Sequence, residues 1–159
     1  EGRGLAYARY ENREAYVAAV AQVRVDAASG AVRLLKVTVA HDCGLIVNPD
    51  GVRNQIEGNV IQSASRALKE EVAFDARRVT SVDWQTYPIL TFAEVPEIEI
   101  VLLDRPEEPP VGAGEPATIT TAPAIANAIY AATGIRPRQV PFTPARIRAA
   151  LQAVASQER

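Results

Sequence analysis

The strongest constraint on the fold is a run of 20 consecutive residues without a charged side chain, from Pro116 to Ile135. This length is close to what a transmembrane helix needs. The run contains several threonines together with Pro123, Asn127 and Gly134, and alanine supplies much of its apolar content. Its hydropathy is therefore too low for a membrane span, and we predict a buried helix instead. No transmembrane segment is predicted in the chain.

The composition is that of an ordinary globular protein, with 159 residues, 48% of them hydrophobic and 23% charged. A chain of this length buries enough surface to form a core, and we expect one domain over residues 1–159. The net charge is −2 and the basic residues form no stripe, so neither nucleic-acid binding nor polybasic membrane docking is expected. Because the sequence contains no methionine, we expect it to be a piece of a longer polypeptide.

The first half of the chain has the pattern of a hairpin followed by a helix. Tyr16–Asp26 and Val32–Ala40 are rich in valine and alanine and flank a turn sequence, which predicts a β-hairpin. Asn48-Pro49-Asp50 combines a capping residue, a proline at the first helical position and an acid in the first turn. We predict a helix from there to about Val72.

The second half adds strands and two more helices. Val79–Leu90 has an extended pattern, and Glu97–Leu103 alternates as a strand does. A helix is predicted from about Ala122, with Thr121 as its cap and Gly134 after its end, and a last short helix from Thr143-Pro144 to about Ser156. The whole pattern predicts an α+β fold. We expect a mixed or largely antiparallel sheet, covered on one side by the two main helices.

The loop between Arg105 and Pro116 carries a candidate catalytic carboxylate, Glu115. Gly112 and Gly114 let the backbone come close to a ligand, because no Cβ intervenes. Glu115 precedes a helix whose first N–H groups point into the same space, and prolines on both sides restrict the loop. One interpretation is a positioned general base beside an anionic cofactor. The other is a rigid surface loop with a solvated glutamate, which local features alone favour.

Two weaker candidates come from polar side chains elsewhere. Gln55, Asn59 and Gln62 share one face of the predicted helix and could bind a polar ligand, although the pattern alone favours a solvated face. His41 and Cys43 are residue types that bind zinc, but the chain has one of each. We therefore expect no metal ligands in this chain, and interpret the segment as a strand that ends in a turn.

Several segments, in one order, resemble a known family. They are Gly2-Arg3-Gly4, Val39-Ala40-His41-Asp42-Cys43-Gly44 leading to Asn48-Pro49, Gln55-Ile56-Glu57-Gly58, Val111-Gly112-Ala113-Gly114-Glu115-Pro116, and Ala122-Pro123-Ala124-Ile125-Ala126-Asn127-Ala128-Ile129. Together they resemble the C-terminal molybdopterin-binding region of the large subunit of molybdenum hydroxylases, the relatives of xanthine dehydrogenase and aldehyde oxidase. The resemblance covers nearly the whole chain. Within that family, the sequence is similar in type to isoquinoline 1-oxidoreductase beta subunits and membrane-associated aldehyde dehydrogenases.

The resemblance implies roles for the matching residues. Glu115 matches the family's catalytic glutamate, a general base in a hydroxylation that takes its oxygen from water. The backbone of Gly112, Ala113 and Gly114 matches the segment that lies against the molybdopterin cofactor, expected in a dinucleotide form. Two glutamines of the helix, Gln55 and Gln62, are candidate cofactor contacts because that helix lines the cofactor region in the family.

The resemblance also implies partners. The substrate would be an aldehyde or an N-heteroaromatic ring, and electrons would leave through iron–sulfur clusters on a small partner subunit. The remainder of the large subunit would complete the site, so these 159 residues alone are not expected to turn over substrate. The sequence leaves the compartment open between the cytoplasm and the bacterial cell envelope.

The predicted helix that begins at Pro49 departs from the family pattern. Asn59 stands where the family usually has glycine, and Ser63-Ala64-Ser65 replaces a glycine-containing run. These departures leave an alternative open. The chain would then be a non-catalytic domain derived from the family, serving assembly or interaction with a decayed cofactor site.

Overall fold

The computed structural model describes residues 1–157, and in them one mixed β-sheet carries helices on one face. Strands β1 (Gly2–Arg9), β2 (Tyr16–Val25), β3 (Val32–Asp42) and β4 (Glu97–Leu103) lie side by side in chain order. The first three pair antiparallel, and β4 pairs parallel with β3. This confirms the predicted α+β fold, the mixed sheet and the hairpin.

The described residues form three α-helices, which correspond to the three that the sequence predicted. They are α1 (Pro49–Leu68), α2 (Thr118–Thr133) and α3 (Pro144–Gln157). Helix α2 packs on β1 and β2, and α1 packs beside α2 and against β3 and β4. The core between sheet and helices consists of fully buried aliphatic side chains, chiefly Val17, Val23, Val37, Val39, Ile56, Val60, Ile125 and Ile129. Two main helices therefore cover one side of the sheet, as predicted.

Helix α1 begins as its sequence predicts. The Asn48 side chain accepts a hydrogen bond from the Gly51 amide at 3.0 Å, and Pro49 occupies the first helical position. The helix ends at Leu68 rather than near Val72. The amides of the next two residues both donate to the Ser65 carbonyl, which closes the last turn and ends the helix early.

Strand β1 was not predicted, because glycines are unfavourable in strands. Its two glycines serve to let helix α2 rest directly on the backbone. A Cβ at Gly2 would lie 2.3 Å from the Ala128 carbonyl oxygen, and a Cβ at Gly4 would lie 2.2 Å from the Ala128 nitrogen. Asn127 adds a side-chain hydrogen bond to the Leu5 carbonyl at 2.8 Å. The position of α2 is therefore set by the first strand of the chain.

The start of α2 was predicted wrongly. The helix begins at Thr118, and the buried Thr121 is not a cap but donates its hydroxyl to the Ala117 carbonyl at 3.0 Å inside the helix. The error came from Pro123, since proline most often marks the first turn, whereas here it is the sixth helical residue. The predicted end is confirmed, because Gly134 is left-handed with φ +77°.

The segment Val79–Leu90, for which an extended pattern was predicted, does not form a strand of the sheet. Val79 pairs with Phe74 in an isolated bridge, and then a turn takes over. The Asp83 carboxylate accepts from the Gln85 and Thr86 amides at 3.1 and 2.9 Å. This side-chain bonding competes with a strand ladder, as it does in Asx turns. The segment instead runs beside α1 without joining the sheet.

The face of the sheet opposite the helices is partly apolar and open to solvent. Leu5 and Tyr7 on β1 are 61% and 64% exposed, and Val101 and Leu103 on β4 are nearly half exposed. Among the described residues, no helix combines the length and hydropathy that crossing a bilayer requires.

Candidate functional site

The glycine loop before α2 rests on the turn that ends β3. The Val111 amide donates to the Cys43 carbonyl at 2.9 Å. Gly44 has φ +71°, and a Cβ there would lie 2.2 Å from the Pro109 carbonyl oxygen, so no larger residue fits. The prediction that Asp42-Cys43-Gly44 ends a strand and enters a turn is confirmed. This turn fixes the amino end of the loop.

Arg105 ties the same loop to the sheet by its charge. Its guanidinium lies 3.2 Å from the Asp42 carboxylate and 2.8 Å from that of Glu108. Asp42 in turn accepts the Gly44 amide at 3.0 Å. The loop is therefore held at its start by backbone contacts and by a partly screened ion-pair network.

Glu115 lies at the far end of the loop, three residues before the first residue of α2. Its carbonyl accepts the Thr118 amide at 2.9 Å, which joins the loop to the helix, and its carboxylate accepts a hydrogen bond from the Tyr10 hydroxyl. This hydrogen bond raises the pKa of Tyr10, because the phenol's proton is shared with a carboxylate. The carboxylate faces solvent beside a helix N-terminus, where the dipole favours negative charge.

The carboxylate opens into a cavity of about 200 Å³, which Gly112, Gly114 and Tyr10 also line. Sequence reasoning missed Tyr10, which is 105 residues away along the chain. The turn that presents it has positive φ at two non-glycine residues, Glu11 (48°) and Asn12 (61°). An asparagine tolerates such a conformation, but the sequence gives no signal that it occurs here.

The predicted cofactor contacts meet around a second cavity. This polar cavity of about 270 Å³ is lined by Gln55, Asn59, Gln62 and Gly114, together with Asn54 and Gly58. The Gln55 side-chain oxygen lies 3.5 Å from where a Cβ of Gly114 would stand. The structure thus brings both predicted glutamines to the glycine loop. Ala113 lines an adjacent cavity of about 340 Å³, to which Gln55 and Gly114 also contribute.

The polar stripe of α1 divides into two kinds of residue. Gln55 and Gln62 are exposed, as expected for a solvated face, but Asn59 is buried and hydrogen-bonded to the loop. In residues 1–157, the amides of Gly112 and Gly114 have no hydrogen-bond acceptor. The Gly114 amide, together with the carboxamide side chains that line the same cavity, forms a donor set that fits a polar, anionic pterin cofactor.

His41 and Cys43 are both buried, and His41 lies on the helix-covered side of the sheet. Neither ring nitrogen of His41 has a hydrogen-bond partner among the described residues, and burial lowers its pKa. Burial likewise raises the pKa of the Cys43 thiol. Over the range 1–157, no three acidic, histidine or cysteine side chains are grouped as a metal site would need.

Comparison with known proteins identifies the family. The family model described as molybdopterin cofactor-binding domain matches residues 4–96, more than half of the chain. The chain belongs to the molybdopterin cofactor-binding domain family. The resemblance to molybdenum hydroxylases seen in the sequence is thereby confirmed. Glu115 and the glycine loop lie beyond the residues that the model matches, so their roles are argued separately.

Two relatives of this molybdopterin-binding domain are named as subunits of oxidoreductases. It is 53% identical over 156 residues to a nicotinate dehydrogenase subunit of Pseudomonas putida, covering 94% of this chain and 13% of that protein. It is 34% identical over 142 residues to the beta subunit of isoquinoline 1-oxidoreductase of Brevundimonas diminuta, covering 89% and 18%. The chain thus spans less than a fifth of the length of either relative.

A solved structure shows the same fold. Quinoline 2-oxidoreductase from Pseudomonas putida 86 superimposes with a TM-score of 0.80 and 32% identity, over 87% of this chain and 19% of that one. The mixed sheet and its helices are therefore a part of the molybdenum hydroxylase architecture.

Proposed function

We propose that this chain forms the catalytic-base part of a molybdenum-cofactor-dependent oxidoreductase, which hydroxylates an aldehyde or an N-heteroaromatic substrate with oxygen from water. The observation that carries the proposal is Glu115, a solvent-facing carboxylate held at the amino end of α2. A loop anchored at both ends limits its motion, and a cavity of about 200 Å³ lies in front of it. Such a carboxylate is suited to accept a proton from a water-derived oxygen.

The cofactor would lie along the other edge of the same loop. The backbone amides of Gly112 and Gly114 and the carboxamides of Gln55 and Gln62 would hold it, and Ala113 would present its backbone between the two glycines. When bound, the cofactor, which we expect in its dinucleotide form, supplies the metal centre that accepts two electrons from the substrate. The residues of this chain would orient the cofactor and place Glu115 beside the reacting carbon.

Further components would complete the enzyme. We propose that the remainder of a large subunit closes the substrate pocket and that a small iron–sulfur subunit takes the electrons. The nicotinate dehydrogenase and isoquinoline 1-oxidoreductase relatives both carry subunit names, which supports an assembly of more than one chain. The 159 residues alone would then be inactive.

The test is Glu115→Gln in the complete enzyme, purified with its neighbouring subunit. Loss of a general base lowers kcat about 10²–10⁴-fold, while molybdenum content per chain stays at the wild-type level. Glu107→Gln is the control, because this exposed glutamate of the same proline-rich loop lines neither cavity and forms a solvent-exposed ion pair. If Glu115→Gln turns over within a few-fold of wild type, Glu115 is not the base.

The alternative is a non-catalytic domain with a decayed cofactor site, for which the sequence departures at Asn59 and Ser63–Ser65 argued. Elemental analysis separates the two. Near-stoichiometric molybdenum in the complete protein would exclude the alternative. Absence of molybdenum, in a host that loads a related enzyme with molybdenum, would favour the non-catalytic domain over the proposed activity.

A further inference from the structure

Asn59 joins helix α1 to both flanks of the candidate base. Its side-chain nitrogen donates to the Gln55 carbonyl of its own helix at 2.6 Å and to the Gly114 carbonyl at 2.9 Å. Its side-chain oxygen accepts the Thr118 hydroxyl. The residue is 6% exposed, although it lies on the polar stripe of the helix. Both hydrogens of its amide are therefore used within the protein.

These partners lie on either side of Glu115. Gly114 precedes the base directly, and Thr118 is the first residue of the helix that follows it. A glycine without such a tether has a wide choice of backbone conformations, so the carbonyl contact at Gly114 restricts the loop where it is otherwise most free. A glycine at position 59 would provide neither contact.

We propose that Asn59 is a positioning residue, which holds the Glu115 carboxylate in its reactive place by clamping Gly114 and Thr118 to α1. The inference rests on the proposed function, since it assigns to Asn59 a role in the action of that base. It also gives a reason for the asparagine other than decay of the cofactor site. Because both N–H groups of its amide donate within its own chain, the residue has no donor left for the cofactor and acts through Glu115.

Asn59→Ala in the complete enzyme tests this directly. A misplacement of about 1 Å at a reacting group costs on the order of 10²-fold in rate, so we expect kcat/KM to fall about 10- to 100-fold. Ser63→Ala is the matched control. Ser63 is equally buried and donates to the Thr118 carbonyl at 2.8 Å, so it links the same two helices without touching Gly114. We expect that variant to keep kcat/KM within about threefold of wild type.

Two further measurements separate positioning from general structure. In a Glu115→Gln background, Asn59→Ala should change the residual kcat/KM by less than about threefold, because residues that act as a unit are not additive. Hydrogen–deuterium exchange should rise in the segment 111–118 of Asn59→Ala and stay at the wild-type level in Ser63→Ala. If Asn59→Ala does not fold, Thr118→Val cuts one of the tethers alone and should lower kcat/KM about 3- to 10-fold.

The outcomes are distinguishable. Equal activity losses in Asn59→Ala and Ser63→Ala, full additivity with Glu115→Gln, or unchanged exchange in the loop would each overturn the inference. A Glu115→Gln enzyme with wild-type turnover would instead overturn the proposed function on which it rests.

Discussion

The glycine at position 4 gives the sharpest test of how α2 is seated. An alanine there would place its Cβ 2.2 Å from the Ala128 nitrogen and 2.3 Å from the Ala124 carbonyl oxygen. Ordinary contacts begin at 3.4 Å, so the helix must withdraw by about 1.2 Å, and both obstacles are backbone atoms that cannot rotate away. Overpacking of this kind costs about 1–3 kcal/mol. We expect Gly4→Ala to lower the free energy of unfolding by about 2 kcal/mol.

The control is the same substitution in a helix. Apart from its chain neighbours and the backbone of its own helix, Gly58 on α1 has no described atom within 4 Å of where a Cβ would stand, so Gly58→Ala should gain about 0.5–1 kcal/mol from helix propensity. Urea unfolding followed by circular dichroism measures both. Because one substitution should lower the free energy of unfolding and the other should raise it, an error in the assay's baseline cannot produce both results. If Gly4→Ala is as stable as Gly58→Ala, helix α2 does not rest on the β1 backbone and our account of the packing is wrong.

Three other predictions concern titrating groups. Glu115→Gln should bring the raised pKa of Tyr10 back toward 10, which NMR titration of labelled tyrosines would detect against a Tyr10→Phe reference. Because His41 takes up a proton near pH 6.5 in the unfolded chain and burial lowers its pKa in the folded protein, the stability contributed by this residue should fall from pH 7 toward 5. His41→Leu should flatten this slope in unfolding titrations. Glu94, whose pKa is lowered to about 2 by the Lys69 ammonium and the Thr91 hydrogen bonds, adds stability that is present above pH 4.5 and is lost as pH falls toward 2. Both side chains of that ion pair are about 30% exposed, so Glu94→Gln should cost only about 1 kcal/mol at pH 7, measured by thermal unfolding.

Local sequence signals predicted the parts of the fold that local chemistry controls. The cap at Asn48, the left-handed Gly134 and the turn at Gly44 each need a particular residue type at one position, and all three are present. Features that depend on packing between residues far apart in the chain could not be predicted from local sequence. Strand β1 carries glycines that look unfavourable for a strand until α2 is seen to lie against them.

The residues of the candidate site likewise divide into those with a local sequence signal and those without one. The glycine loop and Glu115 stand out in the sequence because glycine, proline and acid occur together there. Tyr10 had no such signal, since its contact with the carboxylate depends on a strained turn elsewhere in the chain. Asn59 was recognised as a departure from its family, but its hydrogen bonds to the loop could not be foreseen from a helical wheel.

The topology has a consequence for the order in which the molecule assembles. Hairpin β2–β3 closes locally, whereas β1 meets α2 across 122 residues of chain, as the contact from Asn127 to Leu5 shows. Contacts with so large a separation carry the greatest loop-closure entropy and form late. The Glu115 carboxylate would thus reach its hydrogen-bond partner Tyr10 among the last steps of folding. Until then the valine-rich inner face of the hairpin is uncovered, and during that interval folding competes with aggregation.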